Sequence, residues 1–177
     1  MTGRQVFVDE TKERGYVLVA TSHAASEVAQ IRKVMREFVL KGQTRRHFAK
    51  ESAPRRRAII DAICATGITA TVYDAGRRHR SQLAARRACL RAVVEDHTGE
   101  HQTLLVLEQD DSLIRWDRQR LIEFTRDIGC RSTLRYEHRR AKTDLMLCVP
   151  DAVAWCWARG GWWKQRVADV VADVRRL

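Results

Sequence analysis

Val6-Phe7-Val8-Asp9-Glu10-Thr11-Lys12-Glu13-Arg14-Gly15-Tyr16-Val17-Leu18-Val19-Ala20-Thr21 is the stretch whose reading decides the fold. Two short runs rich in β-branched and aromatic residues flank a charged turn that closes on Gly15. That is the pattern of a β-hairpin, so residues 6–9 and 16–21 are expected as antiparallel strands. Asp9 and Glu10 leave the first apolar run together. Two carboxylates at the end of a buried strand are costly unless a cation or a partner neutralises them. Later segments place acids similarly: Asp74 follows residues 68–73, Glu108 follows residues 104–107, and Asp151 directly follows Pro150.

Beyond the hairpin the periodicity changes. Val28, Ile31, Met35 and Phe38 fall at helical spacing within residues 24–40, with Ser22 available to cap the start and Gly42 to end it. Residues 44–49 read as a short edge strand. Ser52 and Pro54 open a second helix, whose apolar face is Ala58, Ile59, Ala62 and Ile63 and which Gly67 stops. Strand and helix then alternate: strand 68–73, helix 79–96, strand 103–107, helix 113–128, strand 133–137. Such alternation favours parallel strands joined by right-handed crossovers. A last helical region runs from Pro150 to Leu177, broken at Gly160-Gly161. The expected fold is α/β: a mixed sheet with an antiparallel N-terminal hairpin and parallel βα units, flanked by helices. With two prolines, nine glycines and no low-complexity run, residues 1–177 read as one domain.

Composition narrows the partners. A net charge of +11, carried mostly by arginine, attracts phosphate backbones, although a high-GC genome enriches arginine without any function attached. The pairs and triplets Arg45-Arg46, Arg55-Arg56-Arg57, Arg77-Arg78, Arg86-Arg87 and Arg139-Arg140 weigh more than the total, because they recur near the element ends where the acids also lie. Nucleic acid is the expected partner and a membrane is not, since no stretch approaches the roughly 20 apolar residues that span a bilayer. Five scattered cysteines without a Cys-x-x-Cys pair read as reduced, buried small hydrophobes. Together with an N-terminus that lacks a secretory layout, they point to the cytoplasm.

In a mixed sheet with a central first strand, Asp9 and Asp74 are expected to emerge side by side, and the helix at Pro150 to bring Asp151 from above. Glu10, Glu51 or Glu108 can complete the set. Two-metal hydrolysis needs such carboxylates, because Mg²⁺ or Mn²⁺ takes oxygen ligands and paired ions about 3.5–4 Å apart share at least one of them. Each acid also has an ordinary reading. Asp9 and Asp74 fit polar turns, Asp151 favours a helix dipole, and Asp111 or Ser112 can cap the helix that follows. His47 and His138 can move protons or touch phosphate, but are more commonly structural. Trp155, Trp157, Trp162 and Trp163 can stack on bases, though packing of the last helices accounts for them more simply.

Val8-Asp9-Glu10-Thr11 resembles the first-strand Asp-Glu-Ser-Gly motif of a large family of uncharacterised prokaryotic proteins with a ribonuclease-H-like fold, with Thr11 for the serine and Lys12 for the glycine. Val149-Pro150-Asp151-Ala152-Val153-Ala154-Trp155 is similar to that family's last-helix opening. His47-Phe48-Ala49-Lys50-Glu51 resembles its central histidine motif, and Tyr136-Glu137-His138 lies where a final strand is expected. The resemblance implies a ribonuclease-H-like sheet and a metal-dependent nuclease or related phosphotransfer activity, with Asp9, Asp74 and Asp151 as metal ligands and Glu51 or Glu108 as the further acid. The departures at Thr11 and Lys12 keep two other expectations in play: a non-catalytic basic module that binds nucleic acid, and a protein-interaction domain with a degenerate site.

Overall fold

The computed structural model describes residues 3–40 and 47–177. The hairpin forms and extends beyond its apolar runs: β1 (Arg4–Thr11) pairs antiparallel with β2 (Tyr16–Ala24), setting Asp9 opposite Val19. Its turn requires glycine, because Gly15 has φ +115° and a Cβ there would stand 2.9 Å from the Gly76 carbonyl carbon. Among the described residues, four more strands join the same sheet: β3 (Thr69–Gly76), β4 (Thr103–Glu108), β5 (Leu134–Arg139) and β6 (Val171–Arg176). The order is β5-β4-β1-β2-β3-β6, with β4 parallel to both β1 and β5 and β6 parallel to β3. The mixed sheet expected from the sequence is present, and the hairpin strands lie at its centre.

Among the described residues, six helices cover the sheet: α1 (Val28–Glu37), α2 (Ala53–Ala65), α3 (Gln82–Asp96), α4 (Ile114–Ile128), α5 (Cys148–Arg159) and α6 (Gly161–Val167). Period-two alternation along β1 divides the core between the two faces. Phe7 packs with α1, α2 and α5, whereas Val6 and Val8 pack with α3 and α4. None of the five cysteines is joined in a disulfide, and four of them are buried while Cys64 is half-buried. No helix among the described residues is long and apolar enough to cross a membrane.

Three expectations are corrected. Helix α1 starts at Val28 rather than residue 24, because Ser22 and Ala24 stay in β2, paired with Val6 and Arg4; Gly42, its expected stop, lies outside the described residues. Of the edge strand expected over 44–49, residues 44–46, including Arg45-Arg46, also lie outside them, and Phe48–Lys50 form a 3-10 turn. The last helical region does break at Gly160-Gly161, where both glycines take positive φ, but it does not reach Leu177. After α6 and a 3-10 turn at Ala168–Val170, the chain becomes β6. The edge of β3 offers backbone partners that a frayed helix tail would lack, and the β-branched Val171 and Val174 pack against the core.

Candidate active site

The parallel pairing of β1 with β4 decides which acids meet. Val8 lies opposite Leu107, so the next residue of each strand, Asp9 and Glu108, stands at the same level of the sheet. By alternation both continue the face of Phe7 and Val106, the face that α5 covers. Asp151 sits in the first turn of α5 and is fixed there, because its Oδ2 accepts the Phe48 amide at 3.0 Å. Desolvation holds the Asp9 carboxyl well above the usual carboxylate range, and the charges of Asp151, Glu10 and Glu108 push the same way. The Glu10 amide, donating to Asp9 Oδ1 at 2.8 Å, opposes them without prevailing.

Glu10 points to the other face. Its Oε2 lies 2.8 Å from Arg86 Nη1 and its Oε1 lies 3.5 Å from Lys12 Nζ. Arg86, on α3, is buried and also forms a two-pronged pair with Asp117 of α4 at 2.7 and 2.8 Å, while donating to the Tyr16 hydroxyl at 3.1 Å. His138 Nε2 completes the group 3.3 Å from Asp117 Oδ2. Burial is the strongest single influence against the charges of Arg86 and Asp117, but their hydrogen bonds together with the charges of Glu10, Tyr16 and His138 outweigh it, raising the first pKa and lowering the second. The sequence reading missed this network. Helical phase carries the signal for it: Arg86 lies among Ala85, Cys89 and Leu90 on the apolar face of α3, and Asp117 precedes Leu121 and Phe124 by one and two turns.

Asp74 requires a correction. It was expected beside Asp9, yet β2 lies between β1 and β3, so the two acids are separated by two strand spacings, about 9–10 Å across the sheet. Asp74 pairs instead with Arg78, whose guanidinium also bonds the Asp74 carbonyl. Glu108, one of the acids expected to complete the set, ends the immediate neighbour of β1. Glu51 is buried and ion-paired at 2.7 Å with Arg55, which reaches on to the Phe38 carbonyl. The helix after Asp111 is organised by Asp110, which accepts from both the amide and hydroxyl of Ser112, while Asp111 pairs with Arg140. His138 serves the buried network, and Lys50 is exposed. Trp155, Trp157 and Trp163 pack on the core; Trp162 does not.

Asp9, Glu108 and Asp151 supply only carboxylate oxygen, the donor chemistry of Mg²⁺ and Mn²⁺ sites, and the penalised charge on Asp9 is one that a cation relieves. Among the described residues, no three histidine, cysteine or acidic side chains are drawn close enough together to hold a metal ion. The donor types fit a divalent cation, and closing on one would require these side chains to move inward.

No family model matches this chain, and no curated protein matches it in sequence. Solved structures do. The structure of the PCNA:RNase HII complex from Archaeoglobus fulgidus superposes with a TM-score of 0.57 at 14% identity, covering 90% of this chain and 73% of that one. Bst-RNase HIII in complex with Mn²⁺ gives 0.51 at 12% identity over 87% of this chain, which spans about half (51%) of that protein's length. At such identities the likeness concerns backbone architecture alone, and in that respect the mixed sheet is ribonuclease-H-like.

Proposed function

We propose that this chain is a divalent-metal-dependent phosphodiesterase that cuts nucleic acid at the C-terminal ends of β1 and β4. Asp9, Glu108 and Asp151 would hold the metal. The observation that carries the reading is the half-buried Asp9 carboxyl, set on the same face as Asp151 and Glu108 and within reach of the charges of Asp151, Glu10 and Glu108, so that its own charge is disfavoured as it stands. Natural sequences place such unfavourable charge at functional sites far more often than in inert turns. When bound, Mg²⁺ or Mn²⁺ supplies a water of lowered pKa and neutralises charge building on the phosphate. The chain's own residues would do the rest. Asp151 is held by the Phe48 amide, Glu108 is set by its strand register, and the arginines of a +11 chain draw the phosphate backbone in. The likeness to RNase HII and HIII supports nucleic acid as the substrate class.

A panel of labelled single strands, duplexes and RNA/DNA hybrids, incubated with Mg²⁺ or Mn²⁺, tests this. Cleavage is expected to stop on chelation and to fall in Asp9→Asn by more than the roughly 10–100-fold typical of losing an outer-shell partner. Cleavage that survives both treatments would falsify the proposal. A second reading, binding without turnover, is favoured by one observation: Arg86 and Lys12 already neutralise Glu10, leaving that acid no need of a metal.

A further inference from the structure

Aromatic side chains run from the core to the surface beside the candidate active site. Phe48, whose amide holds Asp151, meets the Trp155 ring edge-on at 5.3 Å and the Trp163 ring at 6.4 Å. Trp155 and Trp163 meet at 5.2 Å, and Trp163 meets Trp162 at 4.9 Å, each pair close to perpendicular. The first three are buried or partly buried, but Trp162 is 50% exposed. The positive φ of Gly160 and Gly161 makes this possible, turning the chain between α5 and α6 so that Trp163 faces the core while its neighbour faces out. Cations border the row. The Arg57 guanidinium lies 5.7 Å from the Trp162 ring centre, Arg56 and Arg159 lie over Trp155 at 4.6 and 5.9 Å, and the Lys164 ammonium lies over Trp157 at 4.1 Å. Asp61, nearby on α2, is taken up by Arg166 at 2.8 Å. Among the described residues, Arg57, Arg159 and Lys164 form no ion pair with a carboxylate.

We infer that Trp162 and Arg57 form a stacking site for the bases of an unpaired nucleic-acid segment lying next to the carboxylate site. The inference rests on the nucleic-acid reading above and adds to it the substrate feature recognised here, a single-stranded flank. An exposed indole held from behind by a perpendicular ring is pre-organised, so little side-chain freedom is lost when a base stacks on it. Unpaired bases offer a π-face of any sequence to such a ring, whereas a duplex hides them, and the surrounding cations match the phosphates between those bases. A protein partner would call for compensating acids or a larger apolar patch than one indole supplies.

The test measures binding by fluorescence anisotropy in EDTA, which separates binding from turnover. Labelled oligo-dT and oligo-rU of about 16 nucleotides, the upper size of such sites, are compared with a blunt hybrid of the same length. Trp162→Ala is expected to weaken single-strand binding about 5- to 100-fold while changing hybrid binding less than about twofold. Trp162→Phe should restore most of the loss, and Arg57→Ala should reduce the salt slope by about one. An unchanged thermal midpoint in Trp162→Ala confirms that the ring is not holding the fold. If the wild type binds and cleaves while Trp162→Ala binds single strands equally well, this inference fails and the nuclease reading stands. If the wild type binds neither oligonucleotide nor hybrid, the nucleic-acid reading fails and takes this one with it. Equal losses on single strand and hybrid, or loss of self-association alone, would also overturn the stacking site.

Discussion

Asp9 is less comfortable ionised than neutral, which ties its chemistry to stability. Its pKa is raised in the folded chain, so folding favours the protonated form, and the ionised form becomes a liability as pH rises from the ordinary value of 3.8 through the raised one. At pH 7 Asp9→Asn removes that liability while keeping an oxygen to accept the Glu10 amide. The variant is therefore expected to melt higher than the wild type, by about 2–4 °C per kcal/mol gained for a chain of this size. Mn²⁺ should raise the wild-type midpoint and leave that of Asp9→Asn unmoved; equal shifts in both proteins would place any bound ion elsewhere. Asp9 and Asp151 could be singled out in the sequence because an apolar run and a proline point at them, whereas Glu10, singled out with them, turns to the other face and pairs with Arg86. Asp74 was misplaced because a residue's strand neighbour is decided by topology, and nothing around residues 68–74 records that β2 will stand between β1 and β3.

At the scale of elements, α3 and α4 are joined to the sheet through Arg86. Its guanidinium bonds Asp117, Tyr16 and Glu10, and its side chain is 3% exposed, so cutting it out leaves two acids facing each other inside the protein. Arg86→Met is expected to destabilise by about 3–5 kcal/mol, measured by urea unfolding. The double variant Arg86→Met/Asp117→Leu should recover a large part of that loss, since a well-packed apolar pair can replace a buried ion pair. If the single variant unfolds at the wild-type urea concentration, the network is ornamental. Most elements were legible at this scale. The hairpin and the repeated βα units each carry a local period, and Gly67 and Gly129, both with positive φ, end the helices before β3 and before β5. β6 was not legible, because six residues with valines at 171 and 174 suit a helix tail as well as a strand until β3 presents its open edge.

For the molecule as a whole, the titrating groups predict how it meets acid. His23 is buried against Phe7 and Thr21, and burial brings its pKa from 6.5 down to about 4. The unfolded chain takes up that proton first, so stability present above pH 6.5 is lost as pH falls toward 4; His97, also lowered by burial, adds to the loss. Asp117 and Asp144 act later. Burial alone would raise both, but bonds from Arg86 to Asp117 and from Arg32 and Arg139 to Asp144 lower them, so their contribution is present above the ordinary carboxylate value of 3.8 and disappears below it. Asp9 works the other way in the same window, so the readout is the Asp9→Asn background, where the thermal midpoint is expected to decline in two stages and His23→Gln to flatten the first. A midpoint constant from pH 6.5 to 4 in that background would contradict the assignment of a neutral, buried His23.

The opposite facing of Asp9 and Glu10 has a consequence for how the chain threads itself. Sliding β1 by a single residue would exchange the two acids, driving Asp9 against Arg86 and Glu10 among Asp151 and Glu108 while turning Phe7 into the layer built for valines. Only one alignment of the central hairpin gives Arg86 the longer acid and keeps that acid away from Asp151 and Glu108, so charge and shape select the same register.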